Sequence, residues 1–375
     1  MKILFTGGVT GGHFYPIIAV AEAIDELTRE KKFIEPKLYF ASPTPYDREA
    51  LIANNITFIP TAAGKTRRYF SILNFIDVFK TAWGVLRAMV RIFYIYPDVV
   101  FGKGGYGSFP TLLAARIFGI PVVIHESDAV PGRVSRWAGK FAKKIAVSYP
   151  DSAQFFPKEK VAHTGNPVRK SILLPAREGM YEFLKLEHDV PVIYITGGSQ
   201  GAQVINDSIL AALPQLVEKY QIIHQTGEAN FVEVSGRAKV ALGSSLHPDR
   251  YKPYAYLNDL ALRMSAGAAK VVISRAGSTI FEIAAWGLPS IIIPIPESIS
   301  HDQMTNAFAY ARSGAAVVIE QNNLTPGVLI SEIERIITKP EISRAMSEAA
   351  RGFARVDSAK LIANAVMDIA LSHES

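Results

Sequence analysis

The sequence predicts an α/β protein with two domains, each built on a parallel sheet with helices on both faces. Three observations predict this class. The chain has 375 residues, which is enough for two domains of ordinary size. Short apolar runs alternate with helical patterns along most of it, as in parallel sheets that are covered on both faces. The opening pattern also restarts after "HTGNPVR", which predicts a domain boundary near Gly165.

Each half begins with the same design of strand, glycine-rich turn and helix. In the first half "KILF" leads into "TGGVTGGH", and an apolar helical pattern follows from Ile17 to Leu27. The second half repeats this as "PVIYITGGSQGAQVINDSILAAL". Two Rossmann-like domains are therefore expected, with ligands at the carboxyl ends of the strands and in the cleft between the domains. Further strands are expected at "KLYFAS", "DVVFG", "PVVIHES", "KIAVSY", "QIIHQTGE", "YKPYAYL", "KVVIS" and "SIIIPIP".

Composition limits the classes of function. The formal net charge of +6 favours anionic partners such as nucleotides and diphosphates. The absence of cysteine excludes disulfides, thiolate nucleophiles and cysteine metal sites. The early glycines interrupt any signal peptide, and no uncharged run reaches the roughly 20 residues of a membrane span, so a cytoplasmic setting is expected. Basic and aromatic residues do not interleave as in single-strand binders, which argues against nucleic acid as a partner.

The glycine loops predict phosphate binding, because glycine permits close approach and a helix N-terminus attracts anions. The dinucleotide fingerprint places glycine at i, i+2 and i+5. The first and third loops fail that test, with Val9 and Ser199 at the second position. The loop Gly102–Gly107 fits it, with Glu126 about 20 residues further on. An NAD(P)-dependent oxidoreductase is therefore one alternative, and a non-catalytic module that binds a nucleotide sugar or nucleic acid, suggested by the basic pI, is another.

Five segments, taken together, resemble a known family. They are "TGGVTGGHFYP", "GGYGSFPTLLAARIFGIPVVIHESDAVPG", "HTGNPVR", "TGGSQGAQVIN" and "SRAGSTIFEIAAWGLPSIIIPIP", in family order. They resemble the bacterial peptidoglycan N-acetylglucosaminyltransferases. The resemblance implies a GT-B fold, with a first domain over about 1–164, a second over 165–351, and a last helix near 352–375 packing back on the first.

The resemblance also implies the reaction. It is an inverting transfer of GlcNAc from UDP-GlcNAc to undecaprenyl-diphospho-MurNAc-pentapeptide (lipid I), making lipid II, with no cofactor and no metal. The chain departs from the family pattern at three places. Val9 replaces a glycine, Asp128 stands where the family often has asparagine, and Asp302 stands where it often has histidine or glutamine.

The first domain carries the residues expected to bind the acceptor and to catalyse transfer. His13, the only ionisable group in the first loop, is a candidate base, or else a histidine that binds backbone or an acceptor phosphate. Glu126 is a second candidate base that could instead orient the sugar or form a buried ion pair. Lys103 would bind the lipid diphosphate unless it is a solvated surface lysine. Tyr106 and Asp128 complete the expected acceptor site.

The donor is expected mainly in the second domain. Glu282 lies one turn beyond a Gly-Ser turn, where its carboxylate could accept hydrogen bonds from the ribose diol; the alternative is a solvated helix glutamate. Arg169 would reach the diphosphate from the hinge, or else form an interdomain salt bridge. The backbone of Leu257 is expected to bind uracil, and Gln303 the GlcNAc hydroxyls. The remaining donor residues are expected to be Thr10, Gly11, Gly12, Ser199 and Gln200.

The segment 69–96 is unusually apolar, and its polar or small residues occur at spacings of three and four. It is either a core helix with one wet edge or a helix that lies in a membrane interface. In the second case the protein is peripheral, on the cytoplasmic face of the cell membrane, and meets anionic lipid. The polar or small residues of this stripe are Asp77, Lys80, Gly84, Arg87 and Arg91. In the membrane interpretation, the apolar side chains that would enter the bilayer are Phe75, Phe79 and Trp83. The basic side chains that would meet the lipid headgroups are Arg67, Arg68, Lys80 and Arg87.

Overall fold

The computed structural model describes residues 1–64, 72–198, 201–298 and 301–374. The chain forms two compact units, of which the first comprises Met1–Arg169 with Arg355–Ser375 and the second comprises Lys170–Ala354. Each unit is a parallel β-sheet flanked by helices. The predicted fold class, two Rossmann-like α/β domains, is confirmed.

The first unit contains seven strands and alternates them with helices. The strands in the middle of the sheet are rich in Val, Ile and Phe and are buried on both faces, as expected for a parallel sheet, whereas the two edge strands are partly exposed. In chain order the elements are β1 (Lys2–Thr6), α1 (Gly11–Glu30), β2 (Lys37–Ser42), α2 (Arg48–Ala53), β3 (Ile56–Pro60), α3 (Ile72–Ile95), β4 (Val99–Gly102), α4 (Phe109–Ile117), β5 (Val122–Glu126), α5 (Arg133–Gly139), β6 (Lys144–Val147) and β7 (Val161–His163).

The second unit contains six strands and begins with two short helices. It has the same alternation of buried strands and amphipathic helices. The elements are α6 (Lys170–Leu173), α7 (Met180–Leu184), β8 (Val192–Thr196), α8 (Gln203–Leu216), β9 (Gln221–Gln225), α9 (Phe231–Ala241), β10 (Tyr251–Tyr254), α10 (Asp259–Ala268), β11 (Ala269–Ser274), α11 (Thr279–Trp286), β12 (Ser290–Ile292), α12 (His301–Ala311), β13 (Ala316–Val318), α13 (Pro326–Thr338) and α14 (Pro340–Phe353).

The strand orders place both sets of ligand loops at the middle of a sheet. In the first unit the order is β3-β2-β1-β4-β5-β6-β7, and in the second it is β10-β9-β8-β11-β12-β13. Starting from β1, the chain adds β2 and β3 on one side of the sheet, and starting from β4 it adds the later strands on the other side. In the second unit the direction of strand addition reverses in the same way between β8 and β11. Such a reversal opens a crevice at the carboxyl ends of the two middle strands.

A last helix, α15 (Ser358–Glu374), belongs to the first unit, although the chain reaches it from the second. It packs along α1 and buries Ile362, Val366 and Met367 against the core beneath α1. The hydroxyl of Ser358 donates to the carbonyl of Gly165 at 2.9 Å, which ties the beginning of the helix to the end of the first sheet.

Helix α3 turns its widest apolar face away from the protein. Its buried stripe is narrow and made by Gly84, Ala88 and Ile92, and Gly84 lies so close to Ala62 that a Cβ would overlap the Ala62 carbonyl. The interpretation of this segment as a core helix is therefore wrong, as is the placement of Gly84 on a wet stripe. The exposed large apolar residues are Val78, Phe79, Trp83, Leu86, Val90, Phe93 and Tyr94.

Lys80, Arg87 and Arg91 are exposed along one edge of this outward face, as the helical repeat of 3.6 residues requires. The guanidinium of Arg87 lies 6.0 Å from the centre of the Trp83 ring. Arg67 and Arg68, and the side chain of Phe75, lie outside the described residues. None of the described helices combines the length and apolarity needed to cross a bilayer.

Candidate functional site

In the first unit, the loops that follow β1 and β4 meet at the middle of the sheet. The amide of Lys103 donates to the carbonyl of Thr6 at 2.8 Å, which joins the ends of the two strands. Gly104 and Gly105 have φ angles of 72° and 76°, a left-handed conformation that favours glycine. A Cβ on Gly105 would lie 3.0 Å from the Cα of Gly8, so the absence of a side chain lets the two loops touch.

His13 lies in the first turn of α1, at this junction. Its Nδ1 atom is 2.8 Å from the hydroxyl oxygen of Thr10, the residue that precedes the helix. The ring packs against Gly8, where a Cβ would come within 2.8 Å of Nδ1. The Nε2 atom faces Gly105, at 3.5 Å from the position that a Cβ would occupy there. The imidazole is thus held between two glycine loops, with one nitrogen directed at the second of them.

Burial lowers the pKa of two basic side chains at this site. Close packing around the partly exposed His13 ring, helped by the positive charge of Lys103, lowers the pKa of His13 to about 4. Burial lowers the pKa of Lys103 to about 8, against the opposing charges of Glu126 and Asp128. His13 is therefore neutral at neutral pH, while Lys103 remains mostly protonated.

Lys103 is 1% exposed, so the interpretation of it as a solvated surface lysine is wrong. Its ammonium donates to the side-chain oxygen of Asn166 at 3.3 Å. A buried ammonium is costly unless charges or hydrogen bonds stabilise it. A buried lysine beside a glycine loop is the arrangement expected where an anionic ligand supplies part of that stabilisation.

Glu126 ends β5 and is also buried. One carboxylate oxygen accepts from the backbone N–H of Asp128 at 3.0 Å, and the other accepts from that of Gly132 at 3.2 Å. These bonds hold the turn that leads into α5. The carbonyl of Asp128 accepts from the hydroxyl of Ser152 at 2.5 Å, so this turn is fixed from both sides.

The neighbouring His125 is a site residue to which the sequence assigned no role. It is fully buried, and its Nε2 atom lies 3.0 Å from the carbonyl of Gly165 and 3.2 Å from the hydroxyl of Ser148. Burial lowers its pKa well below the usual value. His125 therefore ties β5 to the segment after β7, which also carries Asn166, the partner of Lys103.

Tyr106 and Arg169 lie at the edges of the same region. Tyr106 is partly exposed, and burial together with the charge of Asp77 on α3 raises the pKa of its phenol. The guanidinium of Arg169 lies 3.9 Å from the centre of the Tyr15 ring, one turn beyond the beginning of α1. The amides of Gly11 and Gly12 form the N-terminus of that helix, where N–H groups point out of the helix end.

In the second unit, the loop after β8 is the counterpart of the first glycine loop. Gly198 and Gly201 have φ angles of 83° and 73°, and Gly201 packs directly on the carbonyl of Thr226. Ser199 and Gln200 lie outside the described residues. The loop leads into α8 and follows β8, one of the two middle strands at which the sheet order reverses.

Leu257 lies beside this loop and is buried. Its N–H donates to the side chain of Gln225 at 3.2 Å, and the same side chain donates to the carbonyl of Gly198 at 3.3 Å. Gln225 is absent from the sequence-based site because a glutamine in an apolar strand carries no recognisable motif.

Glu282 and Gln303 follow the next two strands. Glu282 is partly buried in the first turn of α11, and its charge acts on the phenol of Tyr194 in β8. Glu282 is thus neither fully buried nor fully exposed, which leaves both the ribose-binding role and the solvated helix residue open. The amide oxygen of Gln303 accepts from the N–H of Ile295 at 3.3 Å. Arg275, also missed from sequence, donates to the carbonyls of Ile293 and Pro294, which stabilises the same loop.

Among the described residues, no group of three or more His, Asp or Glu side chains is arranged to hold a metal ion. Both units thus present glycine loops, helix N-termini and single polar side chains at the divergence of the middle strands. These features define an α/β protein of two Rossmann-like domains whose glycine loops and helix N-termini suit anionic ligands.

Comparison with known families gives the class. Residues 3–147 match the glycosyltransferase family 28 N-terminal domain, and residues 192–362 match the C-terminal domain of the same family. The chain belongs to glycosyltransferase family 28, and its fold is GT-B. It is a glycosyltransferase, and nothing in these matches favours the oxidoreductase alternative.

Relatives and solved structures agree with this assignment. A Treponema denticola protein named UDP-N-acetylglucosamine–N-acetylmuramyl-(pentapeptide) pyrophosphoryl-undecaprenol N-acetylglucosamine transferase is 36% identical, over 96% of each chain. The crystal structure of Acinetobacter baumannii MurG is similar with a TM-score of 0.72 and 25% identity, over 98% of this chain and 99% of that one. The Neisseria meningitidis UDP-GlcNAc 2-epimerase bound to UDP-GlcNAc shares the fold, at TM-score 0.69 and 18% identity over 98% and 100% of the two chains.

Proposed function

We propose that this chain transfers N-acetylglucosamine from UDP-GlcNAc to undecaprenyl-diphospho-MurNAc-pentapeptide, with inversion, to make lipid II for the cell wall. The observation that supports this most is the 36% identity, over nearly the whole chain, to an enzyme whose name states that donor and that acceptor. The geometry of the two glycine-loop sites is consistent with one lipid diphosphate and one nucleotide diphosphate as ligands.

The first unit is proposed to bind the acceptor. Lys103 provides a buried positive charge for the lipid diphosphate, and Tyr106 and Asp128 border the same loops. His13 is the proposed base, because it is neutral and directs Nε2 at the glycine loop after β4. Glu126 already accepts two backbone hydrogen bonds, so we assign it to holding the acceptor turn rather than to proton transfer.

Binding of the acceptor would strengthen the base. In the free protein, the charge of Lys103 contributes to the low pKa of His13. A diphosphate on Lys103 brings negative charge that offsets this effect and stabilises the imidazolium formed when His13 accepts a proton. His13 would therefore become a better base only when the acceptor is in place, which links proton transfer to the presence of the sugar hydroxyl.

The second unit is proposed to bind UDP-GlcNAc. Amides of the loop after β8, including Ser199 and Gln200, would stabilise the charge that develops on the leaving diphosphate. Glu282 would accept from the ribose diol, the backbone of Leu257 would bind uracil, and Gln303 would bind the sugar hydroxyls. Further donor contacts are proposed for Thr10, Gly11, Gly12 and Arg169.

We place the protein on the cytoplasmic face of the membrane, bound peripherally through α3. Its outward face carries large apolar side chains, with Phe79 61% and Trp83 57% exposed. Lys80 and Arg87 lie along the edge of that face, where they would meet anionic headgroups. This position would bring the acceptor site close to a substrate that is anchored in the bilayer.

The test is product analysis with the purified protein, UDP-GlcNAc and a soluble lipid I analogue. We expect a GlcNAc-MurNAc disaccharide product by mass spectrometry and stoichiometric release of UDP. Without the analogue, UDP-GlcNAc should remain unchanged. Formation of its 2-epimer, the activity named for the Neisseria structure that shares this fold, would overturn the proposal. A thermal shift with NAD or NADP but not with UDP-GlcNAc would overturn it in favour of an oxidoreductase.

A further inference from the structure

Gln225 connects two loops that no other described side chain joins by a hydrogen bond. It is the last residue of β9 and is 6% exposed. Its side-chain nitrogen donates to the carbonyl of Gly198 at 3.3 Å, and its side-chain oxygen accepts from the N–H of Leu257 at 3.2 Å. The orientation of the amide follows from the partners, since a carbonyl can only accept and an N–H can only donate.

These two loops are the ones to which the proposed function assigns opposite ends of UDP, so the inference rests on that function. Gly198 belongs to the loop proposed for the diphosphate. Leu257 belongs to the segment proposed for uracil. A ligand that contacts both segments requires them to be held at a fixed spacing, and Gln225 makes one hydrogen bond to each.

The end of β9 is itself rigidly built, which makes it a suitable reference for both loops. His224 is fully buried, with its ring nitrogens 2.9 Å from the Tyr251 hydroxyl and 3.0 Å from the side-chain oxygen of Asn206. Asn206 in turn donates to the carbonyl of Thr226 at 3.2 Å. Gly201 packs on that same carbonyl, so the glycine loop rests on the strand that carries Gln225.

We propose that Gln225 is a positioning residue that sets the spacing of the diphosphate loop and the uracil segment. It acts through Gly198 and Leu257 and has no contact with reacting atoms in this role. Its loss should therefore weaken the binding of the donor without changing the use of the acceptor.

Two substitutions of similar size separate the two hydrogen bonds. Gln225→Met removes both, and we expect the affinities for uridine and for UDP to fall, the latter about tenfold, as for the loss of hydrogen bonds of ordinary strength. Gln225→Glu keeps an acceptor for Leu257 but places an oxygen against the Gly198 carbonyl. We expect it to bind uridine within about twofold of the wild type and to bind UDP about tenfold more weakly.

Gln221 offers a matched control on the same strand and the same face. It is 1% exposed, and its amide donates to the carbonyls of Glu187 and Val190 at 2.8 and 3.0 Å, away from both donor loops. Gln221→Met should lower the melting temperature and leave the affinities for uridine and UDP unchanged. A purely structural role for Gln225 would give this same pattern.

Calorimetric titration with uridine, UDP and UDP-GlcNAc, together with steady-state kinetics, tests whether Gln225 has this positioning role. We expect KM for UDP-GlcNAc to rise in both Gln225 variants, with KM for the lipid I analogue unchanged. If the folded Gln225 variants bind UDP as the wild type does, the positioning role is wrong and the proposed function stands. If the wild type itself does not bind UDP-GlcNAc, the proposed function is wrong.

Discussion

The Nδ1 atom of His13 lies 2.8 Å from the hydroxyl oxygen of Thr10, so the residue that begins α1 fixes the orientation of the ring. A histidine that acts as a base through Nε2 needs that nitrogen bare and the proton on Nδ1. The Thr10 hydroxyl can accept a hydrogen bond from Nδ1, so the contact is compatible with this tautomer. Nε2 then faces the glycine loop at Gly105, where the acceptor is proposed to bind.

Replacement of the imidazole tests its proposed role directly. In His13→Ala we expect kcat with the lipid I analogue to fall about 100-fold or more, the usual loss when a general base is removed. The affinity for UDP-GlcNAc, measured by calorimetry, should remain within about twofold. Near-normal turnover in the purified, folded variant would show that His13 is neither base nor essential acceptor ligand.

Two further variants serve as controls for that experiment. Thr10→Val should also lower kcat, because it removes the partner of Nδ1, whereas Thr10→Ser should retain most of it. His373→Ala should change nothing, since His373 lies 3.9 Å from Asp98 at the amino end of β4, the opposite edge of the sheet. Equal losses in the valine and serine variants would contradict the role given to the hydroxyl.

Glu282 provides the prediction for the donor. In Glu282→Ala we expect UDP-GlcNAc to bind more weakly by about 1.5–3 kcal/mol, the range for hydrogen bonds to a charged group. Glu282→Gln, which keeps one acceptor oxygen, should lose less. Calorimetry with UDP and with its 2′-deoxyribose analogue tests the assignment, because the analogue keeps only the 3′-hydroxyl as a partner for Glu282 and should therefore lose less affinity in Glu282→Ala than UDP does. An unchanged affinity for UDP-GlcNAc in the alanine variant would contradict it.

Because His224 is buried, we expect the free energy of unfolding to fall as the solution becomes more acidic. Burial lowers its pKa from 6.5 to about 3, so between these values the unfolded state binds a proton that the folded state does not. Stability therefore falls as the pH falls from about 6.5 toward 3. Between pH 7 and pH 5 this histidine should lower the free energy of unfolding by about 2 kcal/mol.

Urea unfolding at the two pH values measures this effect. The free energy of unfolding should change less between pH 7 and pH 5 in His224→Gln than in the wild type, by about 2 kcal/mol, since glutamine does not titrate in this range. An equal pH dependence in wild type and His224→Gln would contradict the assignment.

The sequence predicted the middle of each sheet better than its edges. The runs that form β1, β4, β8 and β11 are easy to recognise in the sequence. Strands that are buried on both faces appear as nearly continuous apolar segments, whereas loops contain polar residues. The short strands β3, β7 and β13 were not expected. Each has only three to five residues, most of them exposed or partly exposed, so hydropathy does not distinguish it from a connecting segment.

The candidate site shows the same limit at the level of side chains. Glycine loops are visible in a sequence because glycine is required where φ is positive or backbones touch. Gln225, Arg275 and His125 are not, since each acts on backbone carbonyls or N–H groups that only the fold brings near. The burial of Lys103 was equally hidden, because its partner Asn166 lies 63 residues away along the chain.

The outward face of α3 leads to the last prediction. We expect the protein to sediment with vesicles that contain anionic lipid, reversibly, because large apolar side chains and a basic edge lie on one exposed surface. Phe79→Ser with Trp83→Ser should reduce binding at every salt concentration, since burial of apolar area depends little on salt. Lys80→Glu with Arg87→Glu should reduce it mainly at low salt, where each basic residue contributes about 1 kcal/mol.

A matched control comes from the second unit, where Val232 and Val240 on α9 are 81% and 84% exposed and are the only large apolar side chains of that helix exposed to this degree. Val232→Ser with Val240→Ser removes exposed apolar area and should leave vesicle binding unchanged. If it reduces binding as much as the α3 variants do, the attachment is a general effect of apolar surface. If the wild type stays in the supernatant with anionic vesicles at low salt, α3 does not bind membranes, and the enzyme must reach its lipid acceptor by another surface.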